Sequence, residues 1–214
     1  MKIGIIGAGP VAQSLAAAFT GLGHEVLMGT GSPGKLAEWQ AAHPTVQVGS
    51  MADAAGFGDV VALAVKATAA IEVLRNIGPQ RLAGKTVIDA NNPIADTPPV
   101  NGVLNYFTGP NDSLMEQLQR AAPEARFVKA FNSVGNPFFA QPAFAGGRPT
   151  MFICGNHAAA KATVAELLEA LGWDSADMGA VESARAIEPL AMLWCIPGLL
   201  RNEWTHAFKL LKAA

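Results

Sequence analysis

Apolar residues recur along this chain in short continuous runs separated by stretches of helical period, and that alternation is the first structural signal. Ile3 to Ile6, Glu25 to Met28, Asp59 to Val65, Thr86 to Ala90 and Phe127 to Ala130 are short and largely apolar, the pattern of strands covered on both faces. Between the first two, Val11, Leu15, Phe19 and Leu22 fall on one helical face, and a further helix runs through Ile71 and Leu74. Short helices are expected over Lys35 to Ala42 and Met51 to Phe57, with a short strand at Val46 to Val48. Asp112 to Ala121 has amphipathic helical spacing, whereas Ile94 to Gly109, rich in Pro, Asn, Asp and Gly, reads as an ordered loop over a sheet rim. Strand and helix in alternation predict an α/β fold built on a doubly wound, mostly parallel sheet.

Later in the chain, Met151 to Cys154, a helix from Ala158 to Leu171 and Trp173 to Ala176 form another strand–helix–strand unit. A dinucleotide-binding domain over residues 1–150 is therefore expected, followed by a small α/β extension over 151–214 that completes a substrate pocket. Val181 to Leu211 is helical in pattern but interrupted at Pro189 and Pro197. Arg185 and Glu188 stand three apart on one face, the spacing of a solvated surface pair.

At 214 residues the chain suits one sizeable core. Half of it is hydrophobic and only 15% is charged, which excludes a disordered composition. A formal net charge of −2 with no Lys/Arg run argues against a nucleic-acid surface. Two cysteines, Cys154 and Cys195, lie in apolar runs without metal or redox spacing and read as core thiols of a reducing, cytoplasmic setting. The apolar start is divided by a Gly-Pro loop and is not read as a signal peptide, and Leu190 to Leu200 is too short to span a membrane.

The candidate chemistry begins at Gly7-Ala8-Gly9-Pro10-Val11-Ala12, directly after the first strand. Gly7 and Gly9 let the backbone turn and approach a pyrophosphate, and Ala12 stands where a third small residue packs helix against strand. Pro10 suits the first helical turn, where a missing N–H costs nothing. Strand before and helix after favour a Rossmann-type dinucleotide loop over a purely structural turn. About 20 residues on, an NAD site usually has an acid. This chain instead has Gly29-Thr30-Gly31-Ser32-Pro33-Gly34-Lys35. The hydroxyls of Thr30 and Ser32, the open amides around Gly31 and the Lys35 ammonium suit a 2′-phosphate, so NADP(H) is favoured; a flexible turn is the bland alternative. Ligands of such sheets sit beyond the carboxyl ends of the strands, which places Val65, Lys66, Asn91, Asn92 and Pro93 at the same crevice. Asn132, in the polar tip Asn132-Ser133-Val134-Gly135-Asn136, suits a carboxamide or a heterocycle edge as well as it suits an Asx turn. Val65, Asn91 and Asn132, with the helical segment near Arg185, are expected to hold a nicotinamide and to form the pocket for a second ring. None of the four histidines is placed for acid–base work, and no catalytic acid is named.

The glycine loop, the Gly29 to Lys35 segment, Phe127-Val128-Lys129-Ala130-Phe131-Asn132, Met151 to Asn156 and Met178 to Leu190 resemble the F420H2:NADP oxidoreductase family and the reductase domain of the six-transmembrane STEAP metalloreductases. The resemblance spans nearly the whole chain. It implies hydride transfer between NADPH and a small planar redox acceptor, F420 or a flavin such as FMN or FAD. Ala8, Gly9, Pro10 and Val11 would match the pyrophosphate loop, and Thr30 and Lys35 the 2′-phosphate contacts. Relatives often have arginine where this chain has Gly31 and proline where it has Lys66. The metalloreductases continue into a membrane domain, so the resemblance implies a soluble form for a chain ending at Ala214, and it also implies a homodimer through the apolar C-terminal helices. Two alternatives stand beside this reading. One is a dehydrogenase or imine reductase, for which the chain after Gly179 is expected to be too short to build the large helical domain; the other is a non-catalytic NADP(H)-binding sensor.

Overall fold

The computed structural model describes residues 1–213. β1 (Lys2–Ile6) runs into α1 (Pro10–Gly21), β2 (Glu25–Gly29), a 3-10 turn at Pro33–Leu36 continuing as α2 (Ala37–Ala42), and β3 (Gln47–Gly49). α3 (Met51–Phe57), β4 (Val60–Leu63), α4 (Ala70–Ile77), β5 (Thr86–Asp89), α5 (Leu114–Ala121) and β6 (Arg126–Lys129) follow. These strands make a parallel sheet in the order β3-β2-β1-β4-β5-β6, the doubly wound arrangement. β7 (Thr150–Ile153), α6 (Ala158–Ala170) and β8 (Asp174–Asp177) form a second unit in which β7 and β8 pair in parallel, and α7 (Ala184–Arg201) closes the helical part of the chain. An antiparallel bridge between Lys129 and Cys154 joins the small sheet to β6.

The period of two along each strand decides which face each residue covers. Ile3 and Ile5 of β1, with Val60 and Ala62 of β4, face a core shared with Leu15 and Phe19 of α1. Ile6, Val61, Leu63 and Val87 face the opposite core, with Leu74 of α4 and Leu118 of α5. Both faces are thus dry, which is why the strands read as continuous apolar runs. At Gly4 the core admits no side chain at all: a Cβ there would stand 1.9 Å from the Ala54 carbonyl oxygen of α3. Val164, Leu168 and Trp173 of the second unit belong to the same core as Ile3 and Phe19.

The end of the chain departs from its expected form. Pro189 and Pro197 do not interrupt the last helix; α7 passes through both. A proline inside a helix forfeits a hydrogen bond and crowds the preceding turn. Here the buried stripe Ala184, Ile187, Ala191 and Trp194 holds the helix against the body of the protein, while Pro189 faces solvent. The helix does end early, at Asn202 in the left-handed region (φ 56°). Beyond it the chain turns back instead of remaining helical to Leu211: Thr150 donates its N–H to the Phe208 carbonyl at 2.8 Å, and the Leu210 N–H reaches the Thr150 hydroxyl at 3.1 Å. Among the described residues no helix is long and apolar enough to cross a membrane. Both cysteines are free thiols, and burial pushes that of Cys154 up to about 12.

Candidate active site

The carboxyl ends of β1, β2, β4 and β5 open onto one cleft of about 800 Å³, a size suited to a nucleotide cofactor. Gly7, Ala8, Gly9, Pro10 and Val11 line its middle, Thr30, Gly31, Ser32 and Lys35 one end, and Val65, Lys66, Asn91 and Asn92 the other. The sheet order explains this layout, because the tips of β2 and β4 stand on either side of β1.

The two glycines of the loop are required for different reasons. Gly7 has φ +143°, and a Cβ on it would lie 2.1 Å from the Ala64 carbonyl oxygen, so the fold itself demands glycine. Gly9 has an ordinary extended backbone (φ −78°), and a Cβ on it would meet nothing within 4 Å. That space is open cleft directly in front of α1. No side chain caps the first turn of α1, and the earliest main-chain bond there is Gln13 N–H to Gly9 carbonyl at 3.0 Å. The free amides and the positive end of the helix therefore face a cavity that a phosphate can fill. Pro10 at the first helical position keeps its missing N–H harmless.

At the β2 end, the Thr30 hydroxyl accepts the Ser32 N–H at 3.1 Å and fixes the turn. Among the described residues no carboxylate lines this end, and Lys35 supplies its positive charge. A 2′-phosphate fits that donor set better than a bare ribose does.

Three expected residues lie outside the cleft. Ala12 is fully buried beneath the loop, with its Cβ 3.2 Å from where one on Gly7 would stand, so it packs helix on strand. Pro93 is buried, and its carbonyl accepts the Phe107 N–H at 3.0 Å, which anchors the rim loop. Asn132 is 4% exposed and faces inward, its Nδ2 donating to the Ile187 carbonyl at 2.9 Å. Its own carbonyl accepts Asn92 Nδ2 at 2.7 Å, so it braces the cleft wall from behind. Asn91 lines the cleft but is consumed by the protein: its N–H and Nδ2 both donate to Asp89, and its Oδ1 accepts the Val65 N–H at 3.1 Å.

Arg185 and Glu188 do not pair with each other. The helix between them turns Arg185 toward Glu116 of α5, with Nε donating to Oε2 at 3.0 Å, and turns Glu188 into the interior. Bonds from Arg185, and then from Ser113, hold the Glu116 carboxyl down at about 2. Neither Arg185 nor Glu188 touches the cleft. Glu188 instead joins a buried cluster that single residues did not announce. The Lys129 ammonium stands 2.6 Å from Asp89 and 2.8 Å from Glu188, and donates to the Asn91 carbonyl at 2.9 Å. Desolvation pulls the lysine down, but the Asp89 and Glu188 carboxylates outweigh it and hold the lysine above its ordinary value. A lysine between Val128 and Ala130 in a strand dry on both faces is the signal that a buried counterion must exist. Asp96 of the rim loop, which no local sequence pattern marks, also lines the cleft 2.7 Å from Lys66.

Residues 2–93 match the family described as NADP oxidoreductase, coenzyme F420-dependent. A crystal structure of a candidate F420-dependent NADP reductase from Arthrobacter sp. FB24 is 34% identical, with a TM-score of 0.93 over 99% of this chain and 100% of that one. The chain belongs to the F420-dependent NADP oxidoreductase family. Metalloreductase STEAP3 of Rattus norvegicus is 33% identical over 204 residues, 93% of this chain and 39% of the metalloreductase. The family member thus spans about two-fifths of the curated relatives it matches. An imine reductase from Streptomyces aurantiacus, at 18% identity and a TM-score of 0.66 over 94% of this chain and 63% of its own, shares the fold alone.

Proposed function

We propose that this chain is an NADP(H)-dependent oxidoreductase that transfers a hydride between the nicotinamide and a planar redox partner, F420 or a flavin (FMN or FAD). The observation that carries the reading is the single continuous cleft. Its β2 end offers hydroxyls, amides and Lys35 with no carboxylate among the described residues, its middle is an uncapped helix start, and its β4 end sets apolar side chains such as Val65, Ala67 and Ile94 beside Asn91 and Asn92. Bound NADPH supplies the hydride. The protein's part is to hold two rings at contact distance and to keep water away, work that needs orientation and no acid or base. The Gly9 region and the α1 amides hold the pyrophosphate, while Thr30, Ser32 and Lys35 hold the 2′-phosphate. Val65, fixed by Asn91, stiffens the floor under the nicotinamide.

Stopped-flow oxidation of bound NADPH with F420, FMN or FAD as acceptor tests the activity; tight binding with no oxidation by any of them would mark a sensor instead. Gly9→Val tests the site. Nothing stands within 4 Å of its Cβ, so the variant is expected to melt as the wild type does while losing NADPH binding by at least about 100-fold, roughly 2.7 kcal/mol. Undiminished binding would remove the proposed cradle. Two unpaired thiols support a cytoplasmic setting. Exposed Leu193, Leu199 and Leu200 on α7 support a homodimer through that helix, which sedimentation of the wild type against Leu193→Glu would read.

A further inference from the structure

The charged side chains that line the cleft are Lys35 at the β2 end and the pair Lys66 and Asp96 at the β4 end. The two lysines are separated by the whole glycine loop, so a cofactor phosphate held by Lys35 leaves Lys66 to something else. Beside Asn91 and Asn92, the rest of the β4 end is apolar, with Val65, Ala67 and Ile94 offering a wall suited to a flat ring.

Both backbones at that end are fixed. Asn91 Oδ1 accepts the Val65 N–H just before Lys66, and the Lys66 carbonyl accepts the Ala69 N–H at 2.9 Å. Across the mouth, Ala95 donates to the Asn105 carbonyl at 2.8 Å just before Asp96. The side chains, by contrast, are free to leave one another. They meet at 2.7 Å while remaining 66% and 60% exposed, and such pairs in water contribute little. An anion entering the mouth therefore takes Lys66 from Asp96 at small cost. A phosphate, with about −1.5 to −2 charges and three acceptor oxygens, competes better than a single carboxylate does.

We propose that Lys66 selects a redox acceptor carrying a phosphate on its side chain, and that Asp96 parks the lysine across the mouth until that acceptor arrives. The proposal rests on hydride transfer to a planar acceptor and names the chemical class of that acceptor.

FMN and riboflavin share one ring and differ in the terminal phosphate, so their kcat/KM ratio with NADPH reads Lys66 directly. Wild-type protein is expected to prefer FMN. Lys66→Gln is expected to reduce the preference about tenfold, the scale of one charge-assisted contact, and Asp96→Asn to increase it by freeing the lysine. An FMN-to-riboflavin ratio that Lys66→Gln leaves unchanged overturns the proposal, as does a lysine variant that weakens both flavins equally. Should the wild type oxidise NADPH with no flavin, flavin transfer fails on its own, and quenching of flavin fluorescence on the NADP⁺-loaded protein decides the role of Lys66. Preferential FMN binding abolished by Lys66→Gln then supports it. Equal binding of the two flavins, or none, overturns it.

Discussion

Two lysines stand at the carboxyl edge of one sheet, Lys129 at the end of β6 and Lys66 just past β4, and each contacts an aspartate at 2.6 to 2.7 Å. Their distances hardly differ, but their surroundings do. Lys129 and Asp89 are fully buried, and the remaining partners of the cluster are Glu188, the Asn91 amide side chain and main chain. Glu188 in turn accepts the N–H groups of Leu114 and Met115, both at 3.0 Å, and so finishes the open first turn of α5. Every group is spoken for, and the cluster ties β5, β6, α5 and α7 together beneath the cleft floor. Lys66 and Asp96 have water on most sides and only each other. A charge buried among partners is committed to the fold, whereas a charge at the cleft mouth is available to a ligand.

Removing the buried cation gives the largest expected effect. Lys129→Met strands Asp89 and Glu188 without compensation, a loss of about 3–5 kcal/mol. In thermal melts this is a fall of at least about 6 °C for a chain of this size. Adding Asp89→Asn and Glu188→Gln to the same chain is expected to recover part of it. A Lys129→Met melt unchanged at neutral pH would erase the distinction between the two lysines.

Lys35 extends the comparison to the other end of the cleft, since it too is exposed. Lys35→Gln is expected to leave the melting temperature within about 2 °C of wild type, a surface change of under 0.5 kcal/mol. NADPH binding is expected to weaken about five- to tenfold, the scale of one charge-assisted contact, while NADH binding stays put. Equal weakening for both cofactors would place Lys35 away from the 2′-phosphate.

The Glu116–Arg185 pair lies between the extremes, with one partner nearly buried and the other 38% exposed. Glu116 titrates at about 2 in the folded protein against an ordinary 4.5. Its stabilisation is therefore complete above pH 4.5 and is lost as pH falls through the folded value near 2. Melts of the wild type and Glu116→Gln are expected to differ at neutral pH, by less than the Lys129 variant does, and to converge toward pH 2. A difference that persists undiminished at pH 2 would mean that the carboxylate charge is not what Arg185 and Ser113 hold.

How much of this was legible in the sequence follows the same line. Strand and helix order could be read because both sheet faces are dry, and the limits of α3, Met51–Phe57, match those its pattern gave. The cleft-lining residues could be read because strand tips and glycine turns are local features. Partnerships across the sequence could not: Arg185 and Glu116 lie 69 residues apart, and Lys129 and Asn91 lie 38 apart. Arg185 and Glu188 have the right spacing for a pair, yet the face they share is split between α5 and the interior. The prolines of α7 misled for a related reason, because local propensity is a weak prior against a helix pinned by Ile187 and Trp194.

The smallest expected effect closes the comparison from the other side. If the Lys66–Asp96 pair is a ligand device and not a strut, breaking it without ligand should cost almost nothing. Lys66→Gln and Asp96→Asn are each expected to change stability by no more than about 1 kcal/mol, and the double variant by no more than the sum of the two. A double-mutant cycle from denaturant melts measures the coupling. Coupling as large as a buried pair gives would show Lys66 committed to the fold as Lys129 is, and an anion at the mouth would then have to break structure in order to bind.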